Sequence, residues 1–482
     1  MELALPQLNF ISIMPETLLS VVAMALLLVN VLVKSEEKAY LGYLSLAGLM
    51  GALYTVPWGE KIGGFGGMVL QDNFSSFFTS IFILCAAMTI LISDGYFKKE
   101  GCNHGELYPL ILFATVGMMF MAKATDLMTV FLGLEVLSVA LYILAGFNRD
   151  SVKSNEAGLK YFLLGAFSTG FLLYGMALIY GATGTTKIAK IAALAAQNGA
   201  VANNTMFLVG MLLMATGFSF KIAAAPFHMW TPDVYEGAPT PITAFMSAGP
   251  KAAGFAAFLR VFLIALPTLT VQWSDLLWIL AVLTMTIGNI IALSQDNIKR
   301  MLAYSSIAHA GYALVGFTAH NAAGVSGVLF YLLSYTFMNI GAFAIIVMIG
   351  KKGEPNNNVQ DYAGFGTKRP VLAMCFSIFL FSLAGIPPTA GFIGKFYLFA
   401  GAVQQGYIWL AIIGVLNSAA SVYYYLRVMV YMYMKKPDEE FNWITLSPAI
   451  MLCIFIAVVG VLIPGVIPNS VLTLAANSLP LP

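Results

Sequence analysis

The chain has 482 residues, of which 60% are hydrophobic and only 10% charged, and its mean hydropathy is +0.85. Such a composition excludes a soluble domain and leaves a membrane protein with no nucleic-acid partner expected, while the net charge of +2 says little because the placement of charge matters more than its sum. Four scattered cysteines, Cys85, Cys102, Cys375 and Cys453, imply neither a disulfide framework nor a thiolate metal site.

In chain order, the opening MELALPQLNFISIMPE has no basic region or cleavage motif and is expected to start a retained first helix. Apolar stretches near the ~20 residues needed to cross hydrocarbon then recur throughout. The expected fold is all-α, with about 14 transmembrane helices at 10–33, 39–57, 73–94, 107–124, 127–146, 157–181, 204–235, 240–266, 273–294, 299–319, 323–350, 370–401, 405–434 and 447–470. The stretch 185–203 is too polar and short to span, and predicts a surface helical turn around Ile188 and Ile191.

The basic residues test that count. Of 24 Lys and Arg, fourteen fall in connections after odd-numbered helices: Lys34, Lys38, Lys98, Lys99, Arg149, Lys153, Lys299, Arg300, Lys351, Lys352, Lys368, Arg369, Lys435 and Lys436. Four fall after even-numbered ones: Lys61, Lys123, Lys187 and Lys190. Because inner loops carry the Lys/Arg excess, both termini are expected outside the cytoplasm, in the periplasm or the equivalent outer compartment.

Six basic residues remain, all within helices: Lys160, Lys221, Lys251, Arg260, Lys395 and Arg427. Lys160 and Arg260 are near helix ends and could snorkel, and Arg427 is about two turns from the inner end of its helix. Lys221, Lys251 and Lys395 have no such exit, and a charge at mid-membrane costs about 2.5–3.5 kcal/mol even on lenient scales. Glu135, in FLGLEVLSVALYIL, is an isolated carboxylate whose partner could be Lys160 or a buried lysine. Together these residues point to a proton relay; structural ion pairs are the bland alternative. His309 could carry protons between halves, or be a core histidine bonded to a serine. His228 reads as a partner for broken backbone. Asp233 and Glu236 could gather protons at an entrance or cap a helix.

Pro226 interrupts the seventh helix, and Pro387 and Pro388 the twelfth. Five helices apart, the breaks imply an inverted repeat of helices 4–8 against 9–13, with Glu135 loosely matched by His309. The expected divisions are 1–106 for the first three helices, 107–266 and 273–434 for the two five-helix repeats, and 447–482 for the last helix. The freed carbonyls after the second break are expected to hold water and to let Lys395 exchange with the outer side, and a carboxylate in its place is expected to rescue part of the function. Neither GGFGGM (63–68) nor GFIGKF has the context of a nucleotide site. No cofactor and no direct NADH binding are therefore expected of this chain.

The stretches LKYFLLGAFSTGFLLYGMALIYGATG, PFHMWTPDVYEGAPTPITAFMSAGPKAAGFA and AGIPPTAGFIGKFYLF resemble the subunit N family of bacterial NADH–quinone oxidoreductase (respiratory complex I), one of the antiporter-like membrane subunits. The resemblance implies fourteen helices, the inverted repeat, other membrane subunits of that complex as partners, and proton pumping driven by quinone chemistry elsewhere. It assigns the working roles to a glutamate on helix 5 and lysines on helices 7, 8 and 12, which match Glu135, Lys221, Lys251 and Lys395. An Mrp-type cation/proton antiporter subunit is the alternative reading, and a structural spacer a third.

Overall fold

The computed structural model describes residues 8–33, 38–197, 199–354, 357–436 and 447–480; Lys34 lies outside them. The long helices are numbered by the span each occupies. They are α1 (Met14–Leu32), α2 (Ala39–Tyr54), α3 (Asn73–Glu100), α4 (Leu107–Lys123), α5 (Leu127–Ala145), α6 (Val152–Thr183), α7a (Thr205–Lys221) with α7b (Trp230–Gly237), and α8 (Thr240–Arg260). There follow α9 (Thr270–Leu293), α10 (Ile298–Ala319), α11 (Ala322–Ile349), α12a (Pro370–Ala384) with α12b (Ala390–Gln404), α13 (Ile408–Met434) and α14 (Pro448–Val466). Among the described residues, nine helices are long and apolar enough to cross a membrane by length and composition. The other five expected spans are α2, α4, α10 and the two broken helices.

Local chemistry sets the starts. Asp72 caps α3 in a reciprocal box with Ser75, and Asp126, Asn297 and Asn321 accept from the first amides of α5, α10 and α11. The 185–203 stretch forms the helix Ile188–Gln197 where a helical turn was expected, and its Ile188 and Ile191 are buried. The glycine-rich 63–68 run turns a short antiparallel hairpin, β1 (Ile62–Gly64) against β2 (Val69–Gln71), which the sequence reading missed. Its turn needs Gly66 and Gly67 at positive φ.

The connections fall into two sets at opposite ends of the bundle. At one end, Thr125 N–H donates to Met68, Leu127 N–H to Thr186, and Asn73 to the Asn477 carbonyl. At the other, Lys99 reaches Gly350, Tyr96 reaches Glu354, and Val359 N–H donates to Asp296. Each contact joins connections of equal parity. Glu354 is the hub of the second end. Burial pushes its carboxyl up, but the Lys299 charge and hydrogen bonds from Thr240, Tyr96 and Lys299 more than offset this and hold its pKa at about 2.

Several basic residues read as loop or snorkelling groups are buried in ion pairs. Lys123 pairs with Glu16 at 2.7 Å, the side chains 0% and 1% exposed. Arg260 pairs with Asp72 at 2.8 Å and lies over the Phe74 ring rather than snorkelling. Lys299 pairs with Glu354 at 2.9 Å. Removing one member of a buried pair strands a charge, at a cost of about 3–5 kcal/mol. Glu16→Ala is therefore expected to lower the thermal stability of the detergent-solubilised protein, and Glu16→Gln with Lys123→Met to recover most of it, both read from melting curves.

Two features recur at one chain offset. Asp126, the α5 cap, bridges to Lys187, and Asn297, the α10 cap, bridges to Asn358. A Cβ on Gly117 would stand 2.6 Å from the Leu137 amide, and one on Gly288 2.7 Å from the Ala308 amide, so α4–α5 and α9–α10 both pack backbone to backbone. The two bridges sit at opposite ends of the bundle.

Candidate functional site

α8 is buried along its whole length, and the three lysines lie around it and on the broken helices. Lys221 is the last residue of α7a, 5% exposed. Pro226 prevents α7a from continuing, and the chain re-enters helix only at Trp230. The loosened backbone is held by Ala225 N–H to the Thr284 hydroxyl and by the Trp230 indole to the Phe220 carbonyl. Lys221 Nζ donates to Ser138 Oγ at 3.0 Å and lies 5.9 Å from the Tyr161 ring centroid.

Glu135 lies one turn before Ser138 on α5. It forms no ion pair among the described residues, and its Oε1 is buried without a hydrogen-bond partner. Lys160 is not its partner: it is 40% exposed and pairs at 2.7 Å with both Glu156 and Asp233. Asp233 and Glu236 do not cap a helix; both bind Arg300 at 2.9 Å, and Glu236 also binds Lys153. The start of α6 and α7b thus carry a mixed-sign cluster.

Lys251 donates to the carbonyl of Ser306 at 2.8 Å and to its hydroxyl. Next to it, Ser305 Oγ shares a hydrogen bond with Tyr425 OH, which lies 3.0 Å from His309 Nε2. His309 Nδ1 bonds Tyr331 OH, so among the described residues this histidine is held by two tyrosines and by no serine. The Tyr312 ring stands edge-on to His309, and Lys395 Nζ lies 4.6 Å from the Tyr312 centroid. At the offset that relates the two bridges, Ser306 corresponds to Glu135 and His309 to Ser138. His309 is therefore the counterpart of the lysine-binding serine, not of Glu135.

Lys395, on α12b, answers a question the sequence left to water. Its Nζ donates to the carbonyls of Leu383 and Ala384 at 3.0 and 3.1 Å, and to Ser418 Oγ at 2.9 Å. Those carbonyls close α12a, and the Pro387–Pro388 break leaves them free. The negative end of α12a thus faces the ammonium directly. Gly385, at φ +86°, makes the approach possible: a Cβ there would be 3.0 Å from Lys395 Cδ.

His228 Nδ1 is buried without a hydrogen-bond partner, while the ring interacts with the backbone of Pro226 at the α7 break. The sequence also gave no hint of the tyrosines. Tyr161, Tyr235, Tyr312, Tyr331 and Tyr425 lie against the lysines and His309, but in apolar helices they read as ordinary core.

Residues 124–421 match a protein-family model described as NADH:quinone oxidoreductase/Mrp antiporter, TM. The chain is 68% identical to NADH-quinone oxidoreductase subunit N of Trichlorobacter lovleyi, over 98% of this chain and 97% of the relative. It is 44% identical to the subunit N of Chloroflexus aggregans, over 99% of each. Among solved structures, it matches a chain of respiratory complex I from Thermus thermophilus with a TM-score of 0.82 and 35% identity, covering 96% of this chain and 99% of that one. A chain of the Mrp complex from Dietzia shares the fold, with a TM-score of 0.83 at 22% identity, covering 96% and 97%. The break-flanking lysines and the full-length likeness agree: the chain belongs to the NADH:quinone oxidoreductase/Mrp antiporter membrane family, and within it to the NADH-quinone oxidoreductase subunit N proteins.

Proposed function

We propose that this chain is the proton-translocating, antiporter-like subunit of a bacterial NADH–quinone oxidoreductase, without a redox centre of its own. Other membrane subunits of that complex are its partners. Electron transfer elsewhere in the complex drives charge rearrangement along Glu135, Lys221, Lys251, His309 and Lys395. The observation that carries this is the placement of the lysines: three ammonium groups, each no more than 5% exposed, end on hydroxyls or carbonyls with no carboxylate bound among the described residues. A purely structural charge would be paired, as Lys123 and Arg260 are. An amine held by neutral acceptors can lose its proton without stranding a counter-ion. Lys160, at the ion cluster, serves the entrance rather than the relay.

The paired bridges and glycine contacts support two inverted repeats at 107–266 and 273–434, preceded by 1–106 and followed by 447–482. Lys251 lies on the seam between them. The test is the purified complex with Lys251→Ala in sealed vesicles. Proton uptake per electron is expected to fall sharply while flavin and iron–sulfur absorbance still co-purify. A wild-type ratio would refute the relay, and a stable protein without that absorbance would favour a free antiporter.

The parity of the end contacts supports both termini lying on one side, and the Lys/Arg excess in the connections of the opposite end supports the periplasmic one. Ser478 is fully buried and unsuited to labelling, and residue 2 lies outside the described residues, so Glu60 and Ala476 are the better outer sites. Cysteines introduced at these two positions are expected to react with an impermeant maleimide on intact cells, and one at Lys352 only after permeabilisation. The reverse pattern would invert the topology.

A further inference from the structure

Two cavities lie at successive depths along the first half. The inner one, about 180 Å³, is lined by Lys153, Glu156, Lys160, Asp233, Glu236 and Arg300. It shares Lys153 and Glu236 with a neighbouring polar cavity of about 380 Å³. The deeper one, about 10 Å³, is lined by Lys221, Ser138, Tyr142, Tyr161 and Ser168. That is at the lower limit for a single water, and its hydroxyls could hold one.

An aromatic stack joins the segments that line them. Tyr161 follows Lys160, which lines the inner cavity, and itself lines the deeper one. Trp230 lies one turn before Asp233 on α7b. The Tyr161 and Trp230 rings are stacked at 4.5 Å and 7°, and Phe220 stacks on Trp230 at 5.3 Å. Tyr161 and Trp230 are 2% and 3% exposed. The indole N–H is tied to the Phe220 carbonyl in the last turn of α7a, so Trp230 bridges the break in the helix that ends at Lys221. Any movement of α7b against α7a must carry this ring.

We infer that the Tyr161–Trp230 stack is the gate between a cytoplasmic entry vestibule and the Lys221 pocket. Closed, it leaves a water-filled, mixed-charge vestibule below and room for at most one water above. Swung aside with α7b, it joins the two by water and admits a proton to Lys221. The charges of Lys160, Asp233, Glu236 and Arg300 hold α7b on α6 and α10 and set the closed position. The inference rests on Lys221 being a proton carrier, but its test reads access and not pumping.

The test uses the assembled complex in inverted membrane vesicles, with Lys221→Cys as the reporter. The probe is the permanently charged thiol reagent 2-(trimethylammonium)ethyl methanethiosulfonate, and modification is read on the peptide by mass spectrometry. The thiol introduced by Lys221→Cys is expected to react slowly when Trp230 is present. Adding Trp230→Ala should speed the reaction at least ten-fold, and Trp230→Phe, which keeps a stacking ring, should leave it slow. Tyr161→Leu opens the same stack from α6 and stands in if Trp230→Ala does not assemble. Equal rates with and without the stack, whether both fast or both slow, would overturn the gate and leave the role of Lys221 standing. Unchanged pumping in Lys221→Ala would overturn that role and leave the access result standing.

Discussion

Lys221→Ala is expected to lower proton uptake coupled to quinone reduction by about 100-fold, the low end of what a positioned acid–base group contributes, with the complex still assembled. Assembly should survive because the lysine holds no salt bridge: its one hydrogen bond goes to Ser138, a neutral hydroxyl that loses little when left to a water. Lys221→Arg should fail nearly as badly, since a guanidinium keeps its charge at working pH. Glu135 separates field from contact. It does not bond Lys221, so Glu135→Gln, which removes the charge and keeps the shape, should impair pumping nearly as much as Glu135→Ala. A wild-type rate in Glu135→Gln would mean the charge is idle. The measurement is dye-reported acidification of sealed vesicles against the rate of NADH oxidation.

The second large effect is expected at Lys395, and the structure changes its form. Lys395→Ala should remove most coupled release and lower the proton-to-electron ratio, because Ser418 and the α12a carbonyls lose the only cation they face among the described residues. Sequence reasoning favoured a glutamate there as a partial rescue. The geometry reverses that expectation. A carboxylate at 395 would face the carbonyls of Leu383 and Ala384 at the negative end of a helix, where anionic charge is disfavoured. Lys395→Glu should therefore be no better than Lys395→Ala. A ratio and rate unchanged in Lys395→Ala would take this lysine out of the path and reduce the α12 break to a structural kink. A clear rescue by Lys395→Glu would instead mean that the α12a carbonyls turn away during turnover.

The sequence by itself determined the membrane class, the positions of the long helices, the two breaks and the charges within apolar helices. These are local properties: each is a hydropathy window, a missing amide donor or a charge whose cost depends on depth alone. The tertiary structure alone decided the partners, because a partner depends on how each helix is rotated and on which neighbour it packs against. Thus Lys160 went to Asp233 and not to Glu135, and Arg260 turned inward to Asp72. Lys123 and Lys299, counted as loop charges, closed buried pairs with Glu16 and Glu354 from distant parts of the chain. The carbonyls freed at Pro387–Pro388 were foreseen as a water site, but α12b folds back so that Lys395 fills it. The tyrosines were least legible of all. In an apolar helix a tyrosine looks like core until packing shows what its hydroxyl or ring meets, and here those meetings link the lysines.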